Sequence, residues 1–151
     1  MSTPLAALTP RAAWSELALG VDMAFGHDLV IGEGGDAELV GGGDCLAQDL
    51  VHRLETPKGS YLIDPEFGSK LHDFLHGPMD AMHLAAVALE VRSTCETDPR
   101  VAAAHCQARL TSDSYVELAV SVEVFDERNP LNLVIGWDLS SLTLEVIRGR
   151  A

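Results

Sequence analysis

The chain has few aromatic and few basic residues. Aromatic side chains make up 5% of its 151 residues and hydrophobic ones 47%, so a core must be built from Leu, Val, Ile and Ala. Ten Lys and Arg stand against 23 Asp and Glu, a formal net charge of -13 at pH 7. Such a surface repels nucleic-acid backbones and anionic membranes. We therefore expect neither as a direct partner.

Long apolar runs, cysteine pairs and nucleotide-binding motifs are also missing. No run reaches the roughly 18 apolar residues of a membrane span. The cysteines, Cys45, Cys95 and Cys106, are odd in number and irregularly spaced, which predicts a reducing cytoplasm. Cys95 and Cys106 each fall on the apolar face of a predicted element and are expected to be small core residues. The N-terminus, with Arg11 inside it, shows no secretion signal. Neither a Gly-x-Ser-x-Gly elbow nor a Gly-x-x-x-x-Gly-Lys loop occurs.

The length suits one domain. Residues 1–20 are rich in Ala, Leu and Pro and predict an arm with at most a short helix around residues 12–19. Residues 21–151 are predicted to form a single α+β domain. It begins with a hairpin in which "DLVIG" and "AELVG" flank the turn "EGGD".

Three helices are predicted to follow. Leucines recur every fourth residue from Leu46 to Leu54, which predicts a helix over residues 45–55 with Asp44 as its N-cap. A second, short helix is expected between Gly68 and Gly77, and a third, with Pro78 in its first turn, ends before Pro99. The third helix should bury one apolar face, made of Leu84, Val87, Ala88, Val91 and Cys95.

The last third of the chain changes to a period of two. Alternation from Val116 to Val124 is the strongest strand pattern in the sequence. A strand before it is expected to place Ala102, Ala104, Cys106, Ala108 and Leu110 on one face, and two more strands are expected around residues 131–137 and 142–146. The predicted fold class is α+β: an N-terminal hairpin and three helices packed on one face of a mainly antiparallel sheet of three to four strands.

Residues that could carry chemistry are few. His72 and His76 are four apart on a predicted helix, but no third ligand accompanies them, so solvated histidines are the favoured interpretation and no metal or cofactor is predicted. Glu55, Asp64 and Glu66 could supply a glycosidase pair. In a chain with 23 acids, close pairs arise by chance, and surface charge is the favoured interpretation.

Asp98-Pro99-Arg100 is the more informative motif. Proline fixes the backbone between opposite charges where the long helix passes into the first strand of the sheet. One interpretation is a turn with a local ion pair; the other is an arginine held for a bidentate contact with a partner's carboxylate.

The order of these segments resembles a known family. "LAQDLVHRLETPKGSYLIDPEFGSKLHDFLHGP", then a long helix and "TDPRV" leading into strands, is similar to the baseplate wedge family of contractile phage tails, often called lysozyme-like and related to the small baseplate subunit of type VI secretion systems. The resemblance covers roughly residues 28–125. The positions that match its structural motif are Gln48, Leu54, Thr56, Pro57, Gly59, Pro65, Phe67, Gly68 and Leu71.

The resemblance implies a structural protein and no enzyme, with no catalytic residues. Asp98, Pro99 and Arg100 match a Glu-Pro-Arg motif that the family uses to dock onto larger wedge proteins, with Asp in place of Glu. It implies a connection anchored by Tyr61, Leu62 and Phe67, a sheet edge that accepts an arm of a first-ring sheath subunit, and about six copies per particle, as six-fold tail symmetry implies. The implied location is the virion tail baseplate, or a contractile injection particle, assembled in the bacterial cytoplasm. Two alternatives stay open: a peptidoglycan-cleaving, lysozyme-like enzyme and a free regulatory anti-adaptor.

Overall fold

The computed structural model describes residues 19–26, 28–125, 128–141 and 143–150, with the backbone alone for 148–150. The predicted arm lies outside these ranges except for Leu19 and Gly20, and so does Leu142. Leu19 is buried in the core, with 1% of its surface exposed.

A small two-stranded sheet opens the described chain. Strand β1 (Val21–Met23) pairs antiparallel with β2 (Leu39–Gly41). The segment between them forms isolated bridges, one of which, Ile31 with Ala37, closes the predicted turn through a hydrogen bond from Gly32 N to Asp36 O at 2.9 Å. The hairpin is therefore present, but "DLVIG" is not a regular strand. The reason is that Val30 N donates to Ala24 O, so this segment pairs with the residues after β1 through isolated bonds and not through a continuous ladder.

Helix α1 (Gly42–Glu55) begins three residues before the predicted start. Gly42 has φ 61°, a left-handed value that glycine adopts without strain. The prediction of Asp44 as N-cap is wrong: the N-cap is Gly41, and Asp44 lies in the first turn, where its charge favours the positive end of the helix. The predicted stripe of leucines is fully buried, and the helix ends at Glu55 with Thr56 as its C-cap, whose hydroxyl donates to His52 O at 2.7 Å.

The second predicted helix is a 3-10 helix, Leu71–His76, and the third is helix α2, Ala81–Glu96. The prediction that Pro78 lies in the first turn of α2 is wrong. Asp80 is the N-cap and accepts the His83 N–H at 2.8 Å, so the helix starts after it. Of the predicted apolar face, Val87, Val91 and Cys95 are buried, and the remaining two members are half-buried.

Four antiparallel strands form the main sheet in chain order: β3 (Val101–Ser112), β4 (Tyr115–Val124), β5 (Leu131–Asp138) and β6 (Thr143–Arg150). The alternation predicted for β4 is confirmed, since its five inward residues are all buried. The face predicted for β3 is only partly right. A bulge after Val101 shifts the register, so Val101 and Ala104 are buried whereas Ala102 is exposed.

Both α-helices cover one face of this sheet, α2 over β3 and β4 and α1 over β6. The core between the layers is made mainly of Leu, Val and Ile. The predicted α+β fold class is confirmed. In the described ranges, no helix is long and apolar enough to cross a membrane.

Candidate functional site

The Asp98-Pro99-Arg100 turn lies where α2 passes into β3. Asp98 N donates to Cys95 O at 3.2 Å, and Val101 N donates to Asp98 O at 3.0 Å. These bonds close the turn on both sides of the exposed Pro99. The turn therefore presents its two charged side chains in a fixed geometry.

Arg100 makes a fork on Asp98. Its Nε donates to Asp98 Oδ1 at 2.9 Å and its Nη2 donates to Asp98 Oδ2 at 2.7 Å. The Asp98 side chain is 2% exposed, whereas that of Arg100 is 23% exposed. A carboxylate this deeply buried depends on its partner, because an unpaired buried charge is strongly unfavourable.

The same guanidinium also connects two other segments. Nη1 donates to Leu19 O at 2.7 Å and Nη2 donates to Asp49 Oδ2, on α1, at 2.9 Å. Four of the five N–H donors of Arg100 are thus used within the chain. The bidentate contact that the sequence left open is made to Asp98 of the same chain, and a contact with another protein stays a prediction.

Electrostatics follow from this geometry. Burial acts to raise the pKa of Asp98, but hydrogen bonds from the side chain and backbone of Arg100 outweigh it, and the pKa is lowered. Hydrogen bonding to Asp98 raises the pKa of Arg100. Both groups are therefore charged at neutral pH.

The connection from residue 56 to residue 69 is a closed loop. Ser69 N donates to Thr56 O and Lys58 N donates to Ser69 O, each at 2.9 Å, and Gly59 N donates to Pro65 O at 2.9 Å. Gly68 has φ 114°, and a Cβ on it would lie 2.3 Å from Thr56 O. Six of the motif positions predicted from the resemblance lie in this loop: Thr56, Pro57, Gly59, Pro65, Phe67 and Gly68.

The other three motif positions hold the helices to their neighbours. Gln48 is 2% exposed; its Oε1 accepts the Phe25 N–H and its Nε2 donates to Met23 O, each at 2.8 Å. It ties the segment after β1 to α1. Leu54 and Leu71 are fully buried in the main core.

Arg53 links the loop to the turn. Its guanidinium carbon lies 4.5 Å from the centroid of the Phe67 ring, and its Nη2 lies 3.9 Å from Asp98 Oδ2. The Tyr61 ring meets Phe67 edge-on at 5.8 Å. The expectation that Leu62 also anchors the connection is wrong, since 92% of Leu62 is exposed. The sequence shows that these side chains are apolar but not which of them faces outward.

At each edge of the main sheet a glutamate accepts a strand amide, a contact that the sequence did not predict. Glu96 Oε1 accepts the Ala104 N–H of edge strand β3, and Glu55 Oε1 accepts the Leu144 N–H of edge strand β6, each at 3.1 Å. Since alternate amides of a strand point the same way, the amides of Cys106 and Ala108 also point outward from β3. Beside them a groove of about 740 Å³ lies between α2 and β3, with Ala85, Ala88 and Leu89 in its lining.

The remaining candidates do not assemble into one site. Among the described residues, no three His, Cys, Asp or Glu are arranged to hold a metal ion. Glu66 lines a cleft of about 360 Å³ and pairs with Lys58 at 3.3 Å, but the lining of this cleft includes neither Glu55 nor Asp64.

Cys45 and Cys95 are buried, and Cys106 is half-buried against the main core. Burial raises the pKa of Cys95 to about 12 and that of Cys106 to about 12. For Cys45, burial first and the nearby Asp49 second raise the pKa to about 11. All three are therefore neutral thiols at neutral pH.

No protein-family model matches the chain, and no curated protein matches it in sequence. Among solved structures, the fold is similar to that of a candidate tail lysozyme from Geobacter sulfurreducens, with a TM-score of 0.53 and 20% sequence identity. The match covers 62% of this chain and 86% of the other. At this identity the likeness is one of fold.

Proposed function

We propose that this protein is a structural subunit of the baseplate of a contractile tail or a related injection particle. The observation that carries the proposal is the fold shared with a protein whose name assigns it to a tail. The order of motifs in the sequence supports the same family. On this proposal the protein lies at the virion tail baseplate and binds partners rather than turning over a substrate.

One contact surface would be the Asp98-Pro99-Arg100 turn, docking onto a larger wedge protein. Pro99 is exposed, and Arg100 keeps 23% of its side chain accessible and one N–H donor beyond the four already described. The internal fork fixes the guanidinium, so little side-chain entropy is lost on docking. In this proposal the partner contacts a rigid surface made of Pro99 and the accessible part of the Arg100 side chain.

The second surface would be an edge of the main sheet, to which an extended arm of a first-ring sheath subunit adds as a strand. The β3 edge is the better supported of the two. It combines outward amides at Cys106 and Ala108 with a groove whose small side chains leave room for those of an incoming strand. About six copies would act in each particle if it has six-fold symmetry.

Affinity purification from the native lysate, with negative-stain microscopy and mass spectrometry of the product, tests the proposal. We expect tail or baseplate particles that contain sheath and larger baseplate proteins. A lone monomer, or one soluble signalling partner, would defeat it and favour the anti-adaptor alternative.

The enzyme alternative draws on the name of the same fold neighbour. It requires a raised-pKa acid and an ionised carboxylate facing one sugar-sized cleft. In this chain Glu55 is occupied at the edge of β6 and Glu66 pairs with Lys58. We propose that the chain has no such activity, and turnover of peptidoglycan above background, abolished by Glu66→Gln, would overturn this.

A further inference from the structure

The connection between α1 and the 3-10 helix presents an apolar tip, residues 61–63. Leu62 is 92% exposed, Ile63 is 85% exposed and Tyr61 is 46% exposed. Leu62 and Ile63 face water at a cost in free energy, and the exposed part of Tyr61, whose ring also contacts Phe67, extends the same surface. Such surfaces mark interaction sites. The contacts of the core do not explain this tip.

The loop that carries the tip is held on both sides. Before it, Ser60 donates to Pro57 O through both its N, at 3.0 Å, and its Oγ, at 2.6 Å. After it, Phe67 N donates to Asp64 O at 3.1 Å, and Asp64 Oδ1 accepts the Glu66 N–H at 3.2 Å. Both ends of the tip are therefore held in place, which reduces the backbone entropy that is lost when a partner covers it.

Charge indicates what covers the tip. Asp64 and Glu66 follow it directly and both are exposed; Lys58 pairs with Glu66 at 3.3 Å, so these three residues leave one net negative charge beside the tip, on a chain whose net charge is -13. A second copy of this chain would bring the same negative charge against it, and an anionic membrane would repel it as well. The complementary surface is an apolar pocket with Lys or Arg at its rim.

We infer that the apolar tip is a docking knob that inserts into an apolar, basic-rimmed pocket of a different protein. This surface is separate from the Asp98-Pro99-Arg100 turn and from the sheet edges. The inference rests on the loop's own contacts and does not need the proposed role in a tail particle.

Photo-crosslinking in the native host tests the inference. Leu62 is replaced by p-benzoylphenylalanine in the full chain, and Met82, which is 83% exposed on α2, is replaced likewise as a matched control. We expect position 62 to crosslink to one heterologous protein, at an apolar segment that has Lys or Arg within a few residues, and position 82 not to reach that segment. A crosslink to lipid, to a second copy or to residues 1–18 of the same chain would overturn the inference, as would no crosslink at all.

Two variants separate the apolar and the charged contributions. Leu62→Ser with Ile63→Ser should weaken affinity for the captured protein by about tenfold or more, because two large side chains lose their burial. Asp64→Asn with Glu66→Gln should slow association at low salt by about threefold or more. Unchanged affinity in the first variant would overturn the knob, and unchanged association in the second would overturn the basic rim. Met82→Ser, at an exposed apolar position on α2 that does not line the groove beside β3, should change neither value.

The outcomes also separate this inference from the proposed function. If tail particles contain the chain but position 62 gives no crosslink, the docking knob is rejected and the proposed function stands. If position 62 crosslinks specifically to another protein in a host extract that contains no particles, the docking knob is supported and the proposed tail function is rejected.

Discussion

Glu96, the last residue of α2, accepts the backbone N–H of Ala104 on the edge strand β3 at 3.1 Å. Its carboxylate also lies 3.2 Å from Arg92 Nε, one turn earlier in the helix. Hydrogen bonding to Ala104 first, and to Arg92 second, lowers the pKa of Glu96. A helix side chain thus occupies one of the outward amides of the sheet edge.

Removing this carboxylate should expose the edge. We expect Glu96→Ala to speed hydrogen exchange of the Ala104 amide by about tenfold, because that amide then bonds only to water. Amide exchange measured by NMR checks this, with the Leu144 amide, held by Glu55 on the opposite edge, as the internal control. An unchanged rate at Ala104 would contradict the assigned contact.

Blocking the edge should separate folding from strand addition. The Ala108 N–H points away from β4, so Ala108→Pro removes an edge donor without removing a bond of the main sheet. We expect the variant to fold and to lose binding of the proposed sheath arm. His105→Ser, at an exposed position of the same strand, serves as the control. If the proline variant binds the arm fully, the β3 edge is not the binding site, and the β6 edge becomes the candidate.

Arg100→Ala should destabilise the fold by about 3 kcal/mol, because it leaves the Asp98 carboxylate buried without its fork. Urea unfolding followed by circular dichroism measures the change. The double variant Asp98→Ala with Arg100→Ala should lose less than the sum of the two single variants. Additive losses would show that the pair is not coupled. Docking tests of this turn are better made with Pro99→Ala, which leaves the fork in place.

The lowered pKa of Asp98 predicts a loss of stability in acid. Its folded pKa lies below the value of the unfolded chain, about 3.9. The contribution is therefore complete above that pH and is lost as pH falls through the lowered folded value, since the unfolded chain binds the proton first. Urea unfolding from pH 5 to pH 2.5 should give a smaller slope of free energy against pH for Asp98→Asn than for wild type. Equal slopes would contradict the prediction.

The glycines of the closed loop differ in what they tolerate. Gly68→Ala should cost about 3 kcal/mol or more, because its left-handed φ and the close approach to Thr56 O act together. Gly59→Ala has a similar φ of 89° but open space around it, and should cost about 1 to 2 kcal/mol. Thermal and chemical unfolding compare the two. Equal losses would show that φ alone decides.

Sequence patterns predicted the elements better than their ends. The alternation of β4 and the leucine stripe of α1 predict the type and the buried face of long segments, because a register shift of one residue would expose the whole apolar face. The start of α1 depended on the left-handed Gly42, and the break in β3 depended on a bulge after Val101. Neither leaves a periodic signal.

The candidate site was predicted in part. The opposite charges at Asp98 and Arg100 were visible in sequence, and so was the local ion pair as one interpretation. Asp49 and Leu19 were not, since only the tertiary fold brings residues so far apart in sequence onto one guanidinium. The outward direction of Leu62 depended on how the loop closes.

The strand order has a consequence for synthesis. All four strands of the main sheet follow both α-helices in the chain, so the apolar faces of α1 and α2 leave the ribosome before the surface that covers them exists. Strand β6 comes last, and Glu55 on α1 finds its amide at Leu144 only then. A nascent chain arrested before β6 leaves α1 packed on α2 and β2 but without its contact with the main sheet, and the core is completed only when the last strand emerges.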